Sequence, residues 1–268
     1  MGNAVASVPT SAPSPLLTTE LVGTVLTVGI NRPAKRNALS DRLMEDILAC
    51  FSSLPDGIRA VVLHGVGDHF SAGLDLSELS ERDATAGLLH SQMWHRVFDK
   101  IQFCPVPVIA VLRGAVIGGG LELACAAHIR VADSTAYYAL PEGSRGIFVG
   151  GGGSMRLPRL IGIARMADMM LTGRVYSAAE GEALGFSQYL TETGRAFAKA
   201  MELAERVAEN APLTNFAVLQ ALPMIAEASP QTGLLMESLM AAVAQSDQEA
   251  KKRMRAFLDH KAAKIRSA

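Results

Sequence analysis

Three short apolar runs constrain this chain more than any other feature. They read VGTVLTVGI (22–30), RAVVLHG (59–65) and VPVIAVLRG (106–114). Their length and β-branched content are those of strands. Pro105 and Pro107 bar a helix at the start of the third. Between the first two, leucine-type residues recur at helical spacing from about Asp41 to Phe51, and Ser40 stands where an N-cap belongs. Repeated strand-helix-strand order predicts the α/β class, with parallel strands covered by helices. A further strand is expected over about 129–139.

The 268 residues suit one large domain, or one domain plus an extension. Hydrophobic residues make up 49% and charged residues 19%, enough apolar material for a sizeable core. The formal net charge of −1 offers nothing to draw the chain to nucleic acid or an anionic membrane. No apolar run has the length of a membrane span. The basic stretch Lys251, Lys252, Arg253, Arg255, Lys261, Lys264 and Arg266 reads as a solvated helix face. Cys50, Cys104 and Cys125 lie scattered in apolar surroundings without a CxxC pair, as reduced thiols do in a cytoplasmic protein. Cys125 and His128 have a short metal-like spacing but no second pair beside them, so no metal site is expected. The first residues, MGNAVASVPTSAPSP, lack a secretion signal, and Ala6 breaks the myristoylation pattern; residues 1–16 read as a mobile tail.

After residue 150 the character changes. A four-glycine run, Gly150 to Gly153, leads into mostly helical sequence. SAAEGEALG (177–185) is a short helix stopped by glycine, and helices are expected over about 193–210, 212–228, 230–246 and 248–264. Pro212 and Pro230 sit where proline begins helices. There is no internal repeat and no second core, so residues 17–200 are read as the core and 201–268 as a helical extension for oligomerisation and pocket cover, with structural filling an equal reading.

The glycine loops carry the chemistry. After the strand at 106–113, Gly114 to Gly120 turns the chain and opens a helix, whose first N–H groups lack partners. Gly119 N–H can hold charge developing on a carbonyl oxygen. In GVGDHFSAGLDL (65–76) the turn Ala72-Gly73-Leu74 is expected to open another helix and free Leu74 N–H in the same way. Both loops follow strands, and parallel strands place such ends on one side. The glycines match neither the dinucleotide fingerprint nor a phosphate loop, which needs GK[ST]. Glu122 starts the helix after the glycines; Glu142 follows the next strand. Twenty residues are enough to bring the second glutamate back beside the first, where two carboxylates can share acid–base work.

Together these segments resemble the enoyl-CoA hydratase/isomerase (crotonase) superfamily. The resemblance rests on NRPAKRNALS (31–40), HFSAGLDL (69–76), VPVIAVLRGAVIGGGLELACAAHIRVAD (106–133), PEG (141–143), GIFVGGGGSMRLPRLIG (146–162) and NAPL (210–213). It implies a crotonase-like ββα-spiral core with a C-terminal helical trimerisation region, assembled as a homotrimer or a hexamer. It implies an acyl-CoA substrate whose thioester oxygen is held by Leu74 and Gly119 N–H. It puts Lys35, Arg36, Ala38, Ala72, Asp75 and Leu76 along the CoA, and Phe257 and Lys261, with Lys264, near the adenine end. A glutamate at both motif positions, Glu122 and Glu142, implies a hydratase, a lyase adding water to a 2-enoyl-CoA of fatty acid metabolism. No cofactor is implied, since CoA belongs to the substrate.

The remaining readings are a specialised hydratase or hydratase-lyase for aryl- or thioether-substituted acyl groups, a Δ3-Δ2 isomerase and a non-catalytic homologue. The family loop FPG-x-GG-T-Q is here Phe148-Val149-Gly150, with Ser154 and Met155 after the glycines, which points to a reshaped acyl pocket. Tyr137 and Tyr138 fit either that pocket or the core. Met93 and Trp94 read as core within the 77–95 loop. The two carboxylates are expected roughly 4–6 Å apart, within reach of one water.

Overall fold

The computed structural model describes residues 15–78, 81 and 83–259. A six-stranded sheet forms its centre. The strands are β1 (Leu17–Val22), β2 (Val25–Ile30), β3 (Ala60–Gly65), β4 (Val108–Leu112), β6 (Ile129–Asp133) and β9 (Tyr189–Thr191), side by side in that order. All pairs are parallel except the β1–β2 hairpin. The single strand expected over 22–30 is therefore a strand and part of a hairpin, and Gly23-Thr24 is its two-residue turn.

Period-two alternation divides the sheet's two faces. Ala60, Val62, Ile109, Val111 and Val131 pack under α7 (Ala196–Ala208), against Ala196, Ala200, Leu203 and Ala204. Their neighbours Val61, Leu63, Val108, Ala110 and Leu112 face the main core. Strands buried on both faces need apolar residues at every position, which is why they read as unbroken runs. The main core is closed by α1 (Asp41–Ser52), with Leu43, Met44, Ile47 and Phe51, and by α2 (Ala84–Gln102), with Trp94, Val97, Phe98 and Ile101. Each such side chain contributes about 1.5–3 kcal/mol when fully buried. Ser40 caps α1, its side chain accepting from Leu43 N–H.

A second sheet holds β5 (Ala115–Ile117), β7 (Tyr137–Ala139) and β8 (Tyr176–Ser177). Two expectations fail here for one reason. The run 129–139 is not one strand, because Asp133 takes Thr135 N–H on its carboxylate at 2.9 Å and turns the chain out of the main sheet. The chain then pairs as β7 with β5, a strand hidden among the glycines that read as turn. From β5 the chain enters α3 (Gly119–Ala126) directly. Tyr138 is fully buried, stacked on Phe186 at 4.7 Å between centroids, so core packing decides its role.

The second half is helical. α4 (Gly153–Ile161) and α5 (Ile163–Thr172) precede α6 (Ala178–Leu184), which carries a full capping box of Ser177 and Glu180. Beyond α7, the expected helix 212–228 is α8 (Pro212–Phe216) and α9 (Leu222–Glu227), joined by a π turn at Ala217–Ala221. Pro223 accounts for the break: it has no N–H to give, and its ring crowds the carbonyl four residues back. α10 (Pro230–Ser246) and α11 (Gln248–Leu258) follow. No helix among the described residues is long and apolar enough to cross a membrane.

Candidate active site

A cleft of about 70 Å³ is lined by Leu74, His90, Ser91, Trp94, Glu122, Glu142 and residues Ile147 to Gly151. Glu122 enters it from the first turns of α3 and is 3% exposed. Its Oε1 accepts Gly151 N–H and Gly153 N–H, each at 2.8 Å. Burial lifts this carboxyl above the usual range, while the amides of Gly153, Gly151 and Gly150 and the Arg156 guanidinium pull it back toward the charged form.

Glu142 reaches the same cleft from the turn after β7, at 7% exposure. Its Oε2 has no hydrogen-bond partner among the described residues. Burial, reinforced by the charge of Glu122, pushes its pKa up to about 7. The two glutamates thus meet in one cleft with unequal surroundings. Three amides and a cation favour charge on Glu122. On Glu142 burial and the neighbouring charge outweigh its own amide and Arg145.

The loops bearing Leu74 and Gly119 touch. A Cβ on Gly73 would lie 3.1 Å from Gly119 N, and one on Gly119 would lie 3.6 Å from Leu74 N. Neither N–H donates to an acceptor among the described residues. Gly119 is free because it opens α3, as read from the sequence. Leu74 is free for a different reason, and the expected helix start is absent. It forms a parallel bridge with Leu39, using the flanking Gly73 C=O and Asp75 N–H, which turns Leu74 N–H to the opposite side. A second bridge, Ser71 to Val116, ties this loop to β5.

The residues assigned to CoA divide by environment. Asp75 is 4% exposed and fully engaged, with Arg32 at 2.6 Å, Lys35 at 3.0 Å and the Ser77 hydroxyl at 2.7 Å. Burial alone would raise its carboxyl, but Ser77, Arg32 and Lys35 together hold it well below the usual carboxylate range. Its carboxylate therefore clamps the 32–38 loop to the 72–77 loop. Lys35 Nζ is half exposed within that clamp. Arg36 is exposed in a left-handed turn, Leu76 is exposed in a 3₁₀ turn, Ala38 is buried and Ala72 is half-buried. Phe257 is exposed on α11, and Lys261 and Lys264 lie outside the described residues.

Helix α2 stands where the sequence reads as a loop over 77–95. It sets His90, Ser91 and Trp94 on the cleft wall, so Trp94 packs the core and lines the site at once. The signal was present: Asp83 as N-cap and Trp94, Val97, Phe98 and Ile101 at helical spacing. A larger cavity, about 240 Å³, lies between β3, β4 and the start of α7, beside His64, Arg113 and Phe197. Its one carboxylate, Asp133, is already bound by Thr135 and Gly194 N–H, so it lacks the paired acids.

The sequence pattern of the enoyl-CoA hydratase/isomerase family matches residues 20–267. The chain belongs to that family. A crystal structure of a provisionally named enoyl-CoA hydratase from Rhodopseudomonas palustris is 77% identical, with a TM-score of 0.90 over 94% of this chain and 98% of that one. The short-chain-enoyl-CoA hydratase of Clostridium acetobutylicum is 31% identical over 243 residues, 90% of this chain and 93% of the relative. The 2,3-dehydroadipyl-CoA hydratase of Escherichia coli is 32% identical over 240 residues, 87% and 92% of the two chains. As an enzyme of the enoyl-CoA hydratase/isomerase family, the chain has the crotonase fold expected of it.

Proposed function

We propose that this enzyme adds water to a 2-trans-enoyl-CoA to give a 3-hydroxyacyl-CoA. The observation that carries the proposal is the pair of buried carboxyls, Glu122 and Glu142, lining one cleft beside two N–H groups without acceptors among the described residues. The thioester oxygen would sit on Leu74 and Gly119 N–H, where an enolate gains negative charge. Glu122, with Oε1 held by two amides, keeps Oε2 for the water and takes its proton as oxygen attacks C3. The C2–C3 electron pair moves into the enolate. Glu142, raised to about 7, supplies the proton to C2 as the enolate collapses. A proton passing from Glu122 to Glu142 restores both groups.

In this reading Lys35, Arg36, Ala38, Ala72 and Leu76 line the CoA, while Asp75 acts through the loops it clamps. The division into a tail (1–16), a core (17–200) and a helical region (201–268) goes with it. So does assembly as a homotrimer or a dimer of trimers, which would cover Leu234, Leu235, Leu239 and Val243, exposed on α10. A cytoplasmic site of action fits three unpaired cysteines.

A narrower reading is a specialised hydratase. It is favoured by His90 and Ser91 on the cleft wall, polar groups that a plain alkyl chain would leave unused. The test is loss of enoyl-thioester absorbance with crotonyl-CoA and a panel of longer, branched, aryl and thioether enoyl-CoAs, with a Δ3-enoyl-CoA as the isomerase arm. Turnover abolished in Glu122→Gln and Glu142→Gln is the expected result. Silence across the panel would overturn it.

A further inference from the structure

The last three glycines of the Gly150–Gly153 run are moulded around three side chains, those of Glu122, Phe98 and Arg156. A Cβ on Gly151 would lie 3.3 Å from Glu122 Cδ and 2.6 Å from the Phe98 ring, and one on Gly153 would lie 2.7 Å from Glu122 Cγ. A Cβ on Gly152, whose φ is +89°, would run into the Arg156 guanidinium. Gly150 has no such constraint, its nearest neighbour being Ser91 Oγ at 3.7 Å.

Arg156 is 5% exposed, and all three of its nitrogens are engaged. Nη1 donates to Gly151 C=O at 2.8 Å, Nε to Gln102 Oε1 at 2.5 Å and Nη2 to Asp99 Oδ1 at 2.6 Å. Residue Gly151 is thus gripped from both ends. Its carbonyl accepts from Arg156, and its N–H donates to Glu122. Asp99 and Gln102 belong to α2, the helix that also carries His90, Ser91 and Trp94 on the cleft wall.

We propose that Arg156 is a positioning residue: it fixes the Gly151–Gly153 backbone so that two amides hold one oxygen of Glu122 and leave the other for the water. This rests on the hydratase reading above. The guanidinium does not touch substrate. It acts through the peptide groups it holds, and it registers the Glu122 loop against α2. A rigid fork suits this task better than an ammonium, because three acceptors in one plane must be met at once. The groups facing Glu122 are Arg156 from α4, Glu142 from the turn after β7, Cys125 on its own helix and His90 across the cleft on α2.

A residue that merely satisfied a buried carbonyl would change stability alone, so the test reads Glu122 directly. The carboxyl of Glu122 is titrated by carbon NMR, assigned with Glu122→Gln, in wild type and in Arg156→Gln, Arg156→Lys and Asp99→Asn. Thermal melting and steady-state kinetics are measured beside it. Arg156→Gln should raise the apparent pKa of Glu122, because the lost cation and the slackened amides both favoured the charged form. It should lower kcat roughly tenfold to a hundredfold while KM stays within about threefold. Arg156→Lys keeps the charge but not the fork, and should restore the titration more than kcat. Asp99 is half exposed, so Asp99→Asn should melt like wild type yet lose kcat severalfold at constant KM. It carries the test if the glutamine variant does not fold. Folded variants with wild-type titration and wild-type kcat would overturn the proposal. The titration needs no turnover, so an enzyme inert on every enoyl-CoA would sink the hydratase reading while the role of Arg156 was still measured.

Discussion

Gly118 and Glu142 meet with no space between them: a Cβ on the glycine would sit 2.6 Å from Glu142 Oε1. The glycine also holds φ at +54° and ψ at −125°, a conformation that side chains disfavour. One residue therefore turns the chain into α3 and forms part of the seat of the second acid. Gly118→Ala should lose about 1–3 kcal/mol of stability and more than a tenth of the kcat that remains folded enzyme would otherwise show. Urea unfolding and steady-state kinetics on the same sample measure both. Wild-type turnover in a folded variant would mean that Glu142 has other room.

Glu142 makes stability depend on pH. Its carboxyl is raised from 4.5 to about 7 by burial first and the charge of Glu122 second. A raised acid favours the folded state below its unfolded value, and that contribution is lost as pH rises through 7. Glu142→Gln stays neutral throughout. Relative to wild type it should gain up to about 3 kcal/mol between pH 4.5 and 8 while losing activity. Denaturant titrations across that range give the difference; a flat one would mean the carboxyl ionises as in water.

The glycine run yields a paired comparison. Gly153→Ala presses a methyl on Glu122 Cγ at 2.7 Å, whereas Gly150→Ala meets only Ser91 at 3.7 Å. The first should abolish most turnover. The second should leave kcat within about threefold, since ordinary van der Waals contact needs no rearrangement. Equal losses in both would contradict the packing described for Glu122.

Asp75 gives the opposite pH behaviour from Glu142. With its carboxyl held far below its ordinary value of 3.8 by Ser77, Arg32 and Lys35 despite its burial, its contribution is present above that value and lost as pH falls. Asp75→Asn should be less stable at neutral pH by about 3 kcal/mol, with the gap closing in acid. KM for the CoA thioester should rise, because both clamped loops slacken. Melting curves at pH 7 and pH 3 check the first outcome, and an unchanged KM would remove the clamp from substrate binding.

Strands β2, β3, β4 and β6 were legible because strands buried on both faces are mostly apolar, whereas β1 and β9, largely exposed, gave no such run. Strands β5 and β7 were not legible either. Each is three residues long, and β5 lies between Gly114 and Gly118, so turn chemistry masks it. Residues Glu122 and Gly119 were found because a helix start has fixed properties. Leu74 was read from its glycine turn but for the wrong reason, since a bridge to Leu39 depends on a partner 35 residues away that no local pattern reveals. Helix α2 was missed by attending to its variable beginning instead of the regular apolar spacing of its second half. Arg156 carried no signal at all: its importance comes from where three acceptors happen to converge.

In the proposed reaction the groups that would hold charge along this cleft are peptide groups: Gly151 and Gly153 N–H on Glu122, and Leu74 and Gly119 N–H on the thioester oxygen. A peptide group survives most substitutions of the side chain attached to it. Leu74 can therefore be exchanged for another apolar residue while its amide stays in place, and His90, Ser91 and Phe148 can drift to suit a new acyl group. Descendants of this chain can change what they eat without relearning how to hold it.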